Sequence, residues 1–188
     1  MELNYREAMT VLHGMVFGAI FLLAFGGGLA GLYSLRPALV TTEGVRERTR
    51  RLIIGTWAMA AVAWATVITG TWVVYPWYRE VLAGDDLAGC AGSVLPTATC
   101  SPRDFLTSEV SGSTASWHTF GMEWKEHVAW ISPLLATAVA FVVTYYGTRL
   151  IKHQGLRRAL MVLFLAAFAT AAIAGVFGAF INKVAPIQ

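Results

Sequence analysis

Four runs of this sequence contain no Asp, Glu, Lys or Arg, and each is long enough to cross a membrane as a helix. A crossing takes about 20 mainly apolar residues. The runs cover approximately residues 8–35, 52–78, 127–148 and 159–182. A water-soluble bundle would need polar faces at helical spacing, which these runs lack. The sequence therefore predicts an all-α integral membrane protein, with residues 1–188 forming a single four-transmembrane-helix bundle.

The charged residues are sorted between the two ends of this predicted bundle. Two short connections carry clusters of Arg and Lys, and such clusters stay in the cytoplasm. They contain Arg36, Arg46, Arg48, Arg50 and Arg51 in the first connection and Arg149, Lys152, Arg157 and Arg158 in the second. Both termini and the long loop 79–126 are therefore expected on the outer, periplasmic side of a bacterial inner membrane. The net charge of +3 follows from this sorting and does not indicate nucleic-acid binding.

Both cysteines of the chain, Cys90 and Cys100, lie in the predicted outer loop. The outer side of the bacterial inner membrane is oxidising, so we expect a disulfide between them. Neither cysteine has the C-x-x-C-H context of covalent haem attachment, and that use is the weaker alternative.

Two of the four histidines lie near the outer ends of the predicted spans. His13 is in the first span and His127 opens the third, and both spans run inward, so the two imidazoles are expected at comparable depths. Ionisable side chains within a membrane are costly and suggest a function. Imidazole is a standard ligand of haem iron, and helix bundles build such sites from facing helices. The pair predicts one b-type haem between these spans, near the outer surface.

A haem at this level needs space, and its anionic propionates need a cation. Small residues occur at a matching level in three of the spans: Gly14, Gly18, Gly70, Gly175 and Gly178. The predicted propionate partners are Arg6 and Lys125, with Arg79 as a further candidate.

The glycine-rich part of the first span has a regular pattern. Phe17, Ile20, Ala24, Gly27 and Gly31 follow one another at three- and four-residue steps. Residues at this spacing share one helical face, which we expect to look into the bundle. The same face continues upward to His13.

Other interpretations of the histidines stay open at this stage. They could serve the structure alone through hydrogen bonds across the bundle, or the site could bind a quinone. His118 could replace His127 as the second haem ligand. Glu123 and His127 share one helical face, as His118 and Met122 do one turn earlier, and with His13 they could hold zinc or copper.

With His13 in the first of four spans and His127 in the third, the chain resembles the small b-type cytochrome subunits of bacterial respiratory enzymes. Those cytochromes often carry four ligating histidines and two haems. This chain has only one pair of histidines in such positions, His13 and His127, so a single haem is expected. The resemblance implies an electron-transfer subunit of an oxidoreductase complex more than an enzyme acting by itself. It also implies contacts with lipid, partner membrane subunits, an outer-side redox protein and quinone.

Two different functions compete with this one. The first is a cofactor-free accessory subunit that scaffolds a larger membrane complex, because glycine-rich faces suit helix docking as well as haem binding. The second is a membrane protein that handles metal ions through His118, Glu123 and His127.

Reporter fusions test the predicted orientation. Because both basic connections are expected in the cytoplasm, alkaline phosphatase fused after Gln188 should be active, and green fluorescent protein at the same point should be dark. Fusions made after Gly44, in the first basic connection, should give the opposite pattern. A fluorescent fusion and an inactive phosphatase at Gln188 would show that the orientation in the membrane is opposite to the predicted one.

Overall fold

The computed structural model describes residues 5–39, 41–79 and 101–184. These residues form helices joined by short turns, and four of the helices are long and apolar enough to cross a membrane. The four candidate spans are Glu7–Ser34, Glu43–Tyr78, Ser111–Lys152 and Gln154–Ile181. The prediction of an all-helical chain with four membrane-spanning helices is confirmed at this level. The predicted Cys90–Cys100 disulfide lies outside the described residues.

Three of the long helices contain a π-helical turn. Helix α1 comprises Tyr5–Val11, the π turn Leu12–Val16 and Phe17–Ser34. Helix α2 comprises Thr42–Thr69, the π turn Gly70–Val74 and Tyr75–Tyr78. The short helix α3 is Pro102–Thr107, and a 3₁₀ turn, Glu109–Thr114, follows it. Helix α4 comprises Ala115–Glu123, the π turn Trp124–Val128 and Ile131–Tyr146, and the 3₁₀ turn Gly147–Lys152 joins it to α5, Gln154–Val184.

The third spanning helix begins earlier than predicted. A loop was expected over 79–126, but the chain is helical from Pro102, and α4 already begins at Ala115. The sequence allows two forms for the aromatic stretch that contains Trp117, Phe120, Met122 and Trp124, an interfacial helix or an upward extension of the third span, and the structure has the extension. Packing explains the difference, because Phe105 and Leu106 of α3 are buried in one cluster with Tyr78 of α2 and Ile181 of α5.

Each spanning helix packs against two neighbours around a single core. Helices α1 and α4 each contact α2 and α5. The core between them is closed by fully buried side chains such as Met59, Val139 and Phe164. The outward surface is apolar as well, and Leu23 is 78% exposed and Phe141 61%. Side chains of this kind are stable on the outside of a bundle when lipid surrounds it.

The interior face of α1 is shifted from the predicted stripe by one position along the chain. Ile20 and Gly27, which were expected inside, are exposed, whereas Phe21, Gly28 and Leu32 are buried. The prediction assumed that the smallest residues form the packed face. The packed face is determined by the fit to α5, where the ring of Phe164 occupies the notch at Gly28.

Two neighbouring glycines of α1 offer a matched test of this packing. A Cβ at Gly28 would lie 2.7 Å from Cε1 and Cζ of the buried Phe164 ring, whereas a Cβ at Gly27 would have no atom within 4 Å. Gly28→Ala should therefore reduce the free energy of unfolding by about 1–3 kcal/mol, the usual cost of overpacking. Gly27→Ala should leave it unchanged or raise it slightly, because alanine favours the helix.

Thermal unfolding of the detergent-solubilised variants measures both effects. Replacing Phe164 by Leu in the Gly28→Ala background should recover part of the lost stability. Equal melting temperatures for the two alanine variants would contradict the packing described here.

Candidate functional site

Three spanning helices are irregular at the same level, near the end of the bundle opposite the basic connections. Their π turns are Leu12–Val16 in α1, Gly70–Val74 in α2 and Trp124–Val128 in α4. Single π turns are rare and are frequent at functional sites, since each inserts one extra residue and redirects the side chains around it. The first of these turns contains His13, and the third contains both Lys125 and His127. Three of the four predicted site residues therefore lie where the helices depart from regular geometry, and the fourth, Arg6, lies in a regular turn of α1.

The imidazole of His13 is held against α2 by a hydrogen bond. Its Nδ1 atom lies 2.9 Å from Oγ1 of Thr69. The Thr69 hydroxyl has one proton, and it donates that proton to its own helix, to the backbone oxygen of Ala65 at 2.7 Å and that of Thr66 at 3.2 Å. Because that proton is used within α2, we assign Thr69 as the acceptor and Nδ1 of His13 as the protonated nitrogen. In this tautomer the lone pair of the ring resides on Nε2, which is the nitrogen that could bind a metal.

Gly70 allows this position of the ring. A Cβ at Gly70 would lie only 2.9 Å from Cε1 of His13, closer than a real contact permits. Any larger residue would push the imidazole away from Thr69. The space beside Gly70 is thus filled by a side chain of this protein, whereas a Cβ at Gly14, Gly18 or Gly175 would have no atom within 4 Å.

Lys125 points from α4 into the same region. Its Nζ atom lies 2.8 Å from the place that a Cβ of Gly178 would occupy on α5, and its charge acts on His13. Among the described residues, the ammonium group has neither an ion-pair nor a hydrogen-bond partner. A cation at this depth is costly unless an anionic group approaches it. His13, Thr69, Gly70, Lys125 and Gly178 are called the His13 site below.

His127 lies outside the His13 site in this structure. Its Nδ1 atom is 3.3 Å from Oε2 of Glu123 and 3.2 Å from the Glu123 backbone oxygen, and its side chain is 69% exposed. His127 follows Lys125 by two residues, which places the two side chains on roughly opposite faces of α4. The structure therefore places Lys125 against Gly178 of α5, and it pairs His127 with Glu123 of its own helix. Ligation of a haem by His127 stays a prediction.

The remaining predicted residues lie in different surroundings. The backbone of Arg6 is in the first turn of α1, and its side chain is outside the described part of the structure. Arg79 donates to the hydroxyl of Tyr75 at 3.3 Å, beyond the last turn of α2. His118 is buried within α4, with 9% of its surface exposed. In the described part of the chain, no three His, Cys, Asp or Glu residues are grouped so that they could hold a metal ion.

Sequence reasoning missed Thr69, the residue that orients His13. A threonine in an apolar span is common and carries no motif. Its position directly before Gly70 was the available signal, because a hydroxyl beside a glycine offers both a hydrogen-bond partner and the space for a ring. Comparison with protein-family models, curated proteins and solved structures found no match for this chain. Its function is therefore inferred from its own geometry.

The orientation of the His13 ring can be tested without any cofactor. In haem-free protein labelled with ¹⁵N-histidine, the His13 ring should be protonated at Nδ1, because Thr69 accepts from that atom. Thr69→Val should abolish this preference, and Thr69→Ser, which keeps the hydroxyl, should preserve it. Nitrogen chemical shifts of the ring report the tautomer, and a His13→Gln sample assigns the signal. An Nε2-protonated ring in the wild type would contradict the hydrogen bonding described here.

Proposed function

We propose that this protein is a membrane-bound electron-transfer subunit that binds one b-type haem at the His13 site. The observation that carries the proposal is the bond from His13 Nδ1 to Thr69, which leaves Nε2 available. Histidines that bind metals usually donate their other ring N–H to a protein acceptor in this way.

The surroundings of His13 suit a porphyrin in one further respect. Lys125 supplies a basic group without a described partner, as an anionic propionate requires. Lys125 would hold a propionate, and Arg6 is the second candidate for that role. His127 is proposed as the second axial ligand on the sequence pattern alone, since its contacts in this structure are with Glu123.

A bound haem would supply one-electron iron chemistry, and the protein would contribute the ligand, the charge and the apolar surroundings. We place the site on the outer side of a bacterial inner membrane, following the positive-inside pattern. Electrons would pass between membrane quinol, or a partner subunit, and a redox protein on the outer side. As a subunit of a larger oxidoreductase, the chain would need no catalytic acid or base of its own.

A cofactor-free scaffold subunit is the second candidate function, and one observation favours it. Trp117 is 66% exposed and Phe120 50% on the early part of α4, near the His13 end of the bundle. Exposed aromatic side chains are enriched where proteins dock. They would serve equally as the contact surface for a redox partner, so the colour of the purified protein distinguishes the two functions.

Reduced-minus-oxidised absorption spectra of the purified protein and of its histidine variants test the proposal. Protein from haem-replete cells should show a sharp b-type α-band on reduction. His13→Ala should lose the band, because Nε2 of His13 is the proposed ligand, and His127→Ala should weaken or lose it. His153→Ala provides the matched control, since His153 lies between α4 and α5 at the basic end, and its spectrum should be unchanged.

The outcomes separate the competing accounts. A band that survives His127→Ala but not His13→Ala would keep the haem and remove His127 as its ligand. A colourless wild type would reject the cytochrome and leave the scaffold function. A band that survives His13→Ala would reject the site itself.

A further inference from the structure

The two basic connections enclose a cavity of about 440 Å³ at the end of the bundle opposite the His13 site. Its walls come from the residues that follow α1 and from the turn between α4 and α5. Four cationic side chains line it: Arg36, Lys152, Arg157 and Arg158. Among the described residues that line this cavity there is no acid, so nothing on its walls balances the four charges.

Arg157 is the central charged residue of this cavity. Its side chain is buried, with 4% of its surface exposed. Of the five N–H donors of a guanidinium, one makes a long hydrogen bond of 3.4 Å to the backbone oxygen of Ile151. The charged neighbours that act on Arg157 are Arg36 and Arg158, both cations. A buried guanidinium next to like charges is costly unless an anion with several acceptor oxygens joins it.

The positive-inside pattern alone does not account for this arrangement. That pattern requires cations in the connection, and exposed arginines such as Arg46 and Arg50 satisfy it. It gives no reason to bury Arg157 or to direct three further cations at the same space. The forked donors of arginine match the oxygens of a phosphate group, which indicates the class of anion.

We infer that this cavity binds the phosphate of an anionic phospholipid. It lies at the ends of spanning helices, where lipid headgroups are found, and Ile151 and Met161 add apolar surface to its walls. The guanidinium of Arg36 also lies 3.8 Å above the ring of Tyr33, a residue type common at the headgroup level. Basic pockets between membrane helices recognise anionic headgroups in this way.

Native mass spectrometry of the delipidated protein in neutral detergent tests the inference. Phosphatidylglycerol should bind at least about tenfold more tightly than phosphatidylcholine with the same acyl chains, because only the first carries a net charge. Arg36→Gln with Arg158→Gln should weaken phosphatidylglycerol binding by about tenfold or more. Arg46→Gln with Arg50→Gln, which removes the same charge from exposed positions outside the cavity, should change it less than about twofold.

Three results would overturn the inference. Equal binding of the two lipids by the wild type would do so, and this comparison requires no variant to fold. An equal loss in the two double variants would show attraction to overall charge instead of to the cavity. Displacement of the lipid by an equal concentration of inorganic phosphate would identify free phosphate as the ligand.

Discussion

The bundle depends on hydrogen bonds that its helices make with one another, because the membrane interior supplies no water to satisfy a polar group. Trp57 and Trp64 of α2 each donate from Nε1 to a threonine of α4, Thr144 and Thr137, at 3.0 Å. His13 and Thr69 link α1 to α2 by the same principle. A bond of this kind fixes both the depth and the rotation of a helix. The position of His13 therefore follows from the register of the whole bundle.

The π turns extend this constraint to the site. A regular α-helix carries its faces continuously from one end to the other. The turns Leu12–Val16, Gly70–Val74 and Trp124–Val128 interrupt that continuity in three helices at one level. Below them, apolar side chains pack in a dense core, with the rings of Phe25 and Phe168 stacked 4.0 Å apart. Above them, Tyr78, Phe105, Leu106 and Ile181 form a second, smaller apolar cluster. The π turns therefore lie between two apolar clusters.

The two ends of the bundle differ in their chemistry. The His13 site combines an imidazole bonded to Thr69 with one basic side chain, Lys125. The basic end concentrates four cations around one cavity and buries Arg157 among them. The first arrangement suits a large cofactor with a metal and few charges, and the second suits a compact phosphate. At neither end are the charged side chains spread evenly over an exposed surface, as they are on soluble proteins.

The sequence predicted the spans well because long uncharged runs have few alternatives to a membrane. It did not predict helix α3, since burial of Phe105 and Leu106 by distant helices leaves no local signal. His13 and Lys125, which the sequence suggested as a haem ligand and a propionate partner, both lie in π turns, and their roles stay predictions. The sequence indicated that Glu123 and His127 share one helical face, and the structure pairs them. The sequence could not show that His127 lies outside the His13 site, because the direction of that side chain depends on a π turn that no periodicity reveals.

Chemical rescue of a His13→Gly variant tests the central claim most directly, since it asks whether the space vacated by this imidazole is a ligand position. Haemin would be added to the haem-free wild type and to the variant, with and without free imidazole, and the absorption spectrum recorded. The account predicts a six-coordinate, low-spin spectrum for the wild type, its loss in the variant, and its return with imidazole. An identical spectrum in the wild type and the variant without imidazole would show that His13 does not bind the iron.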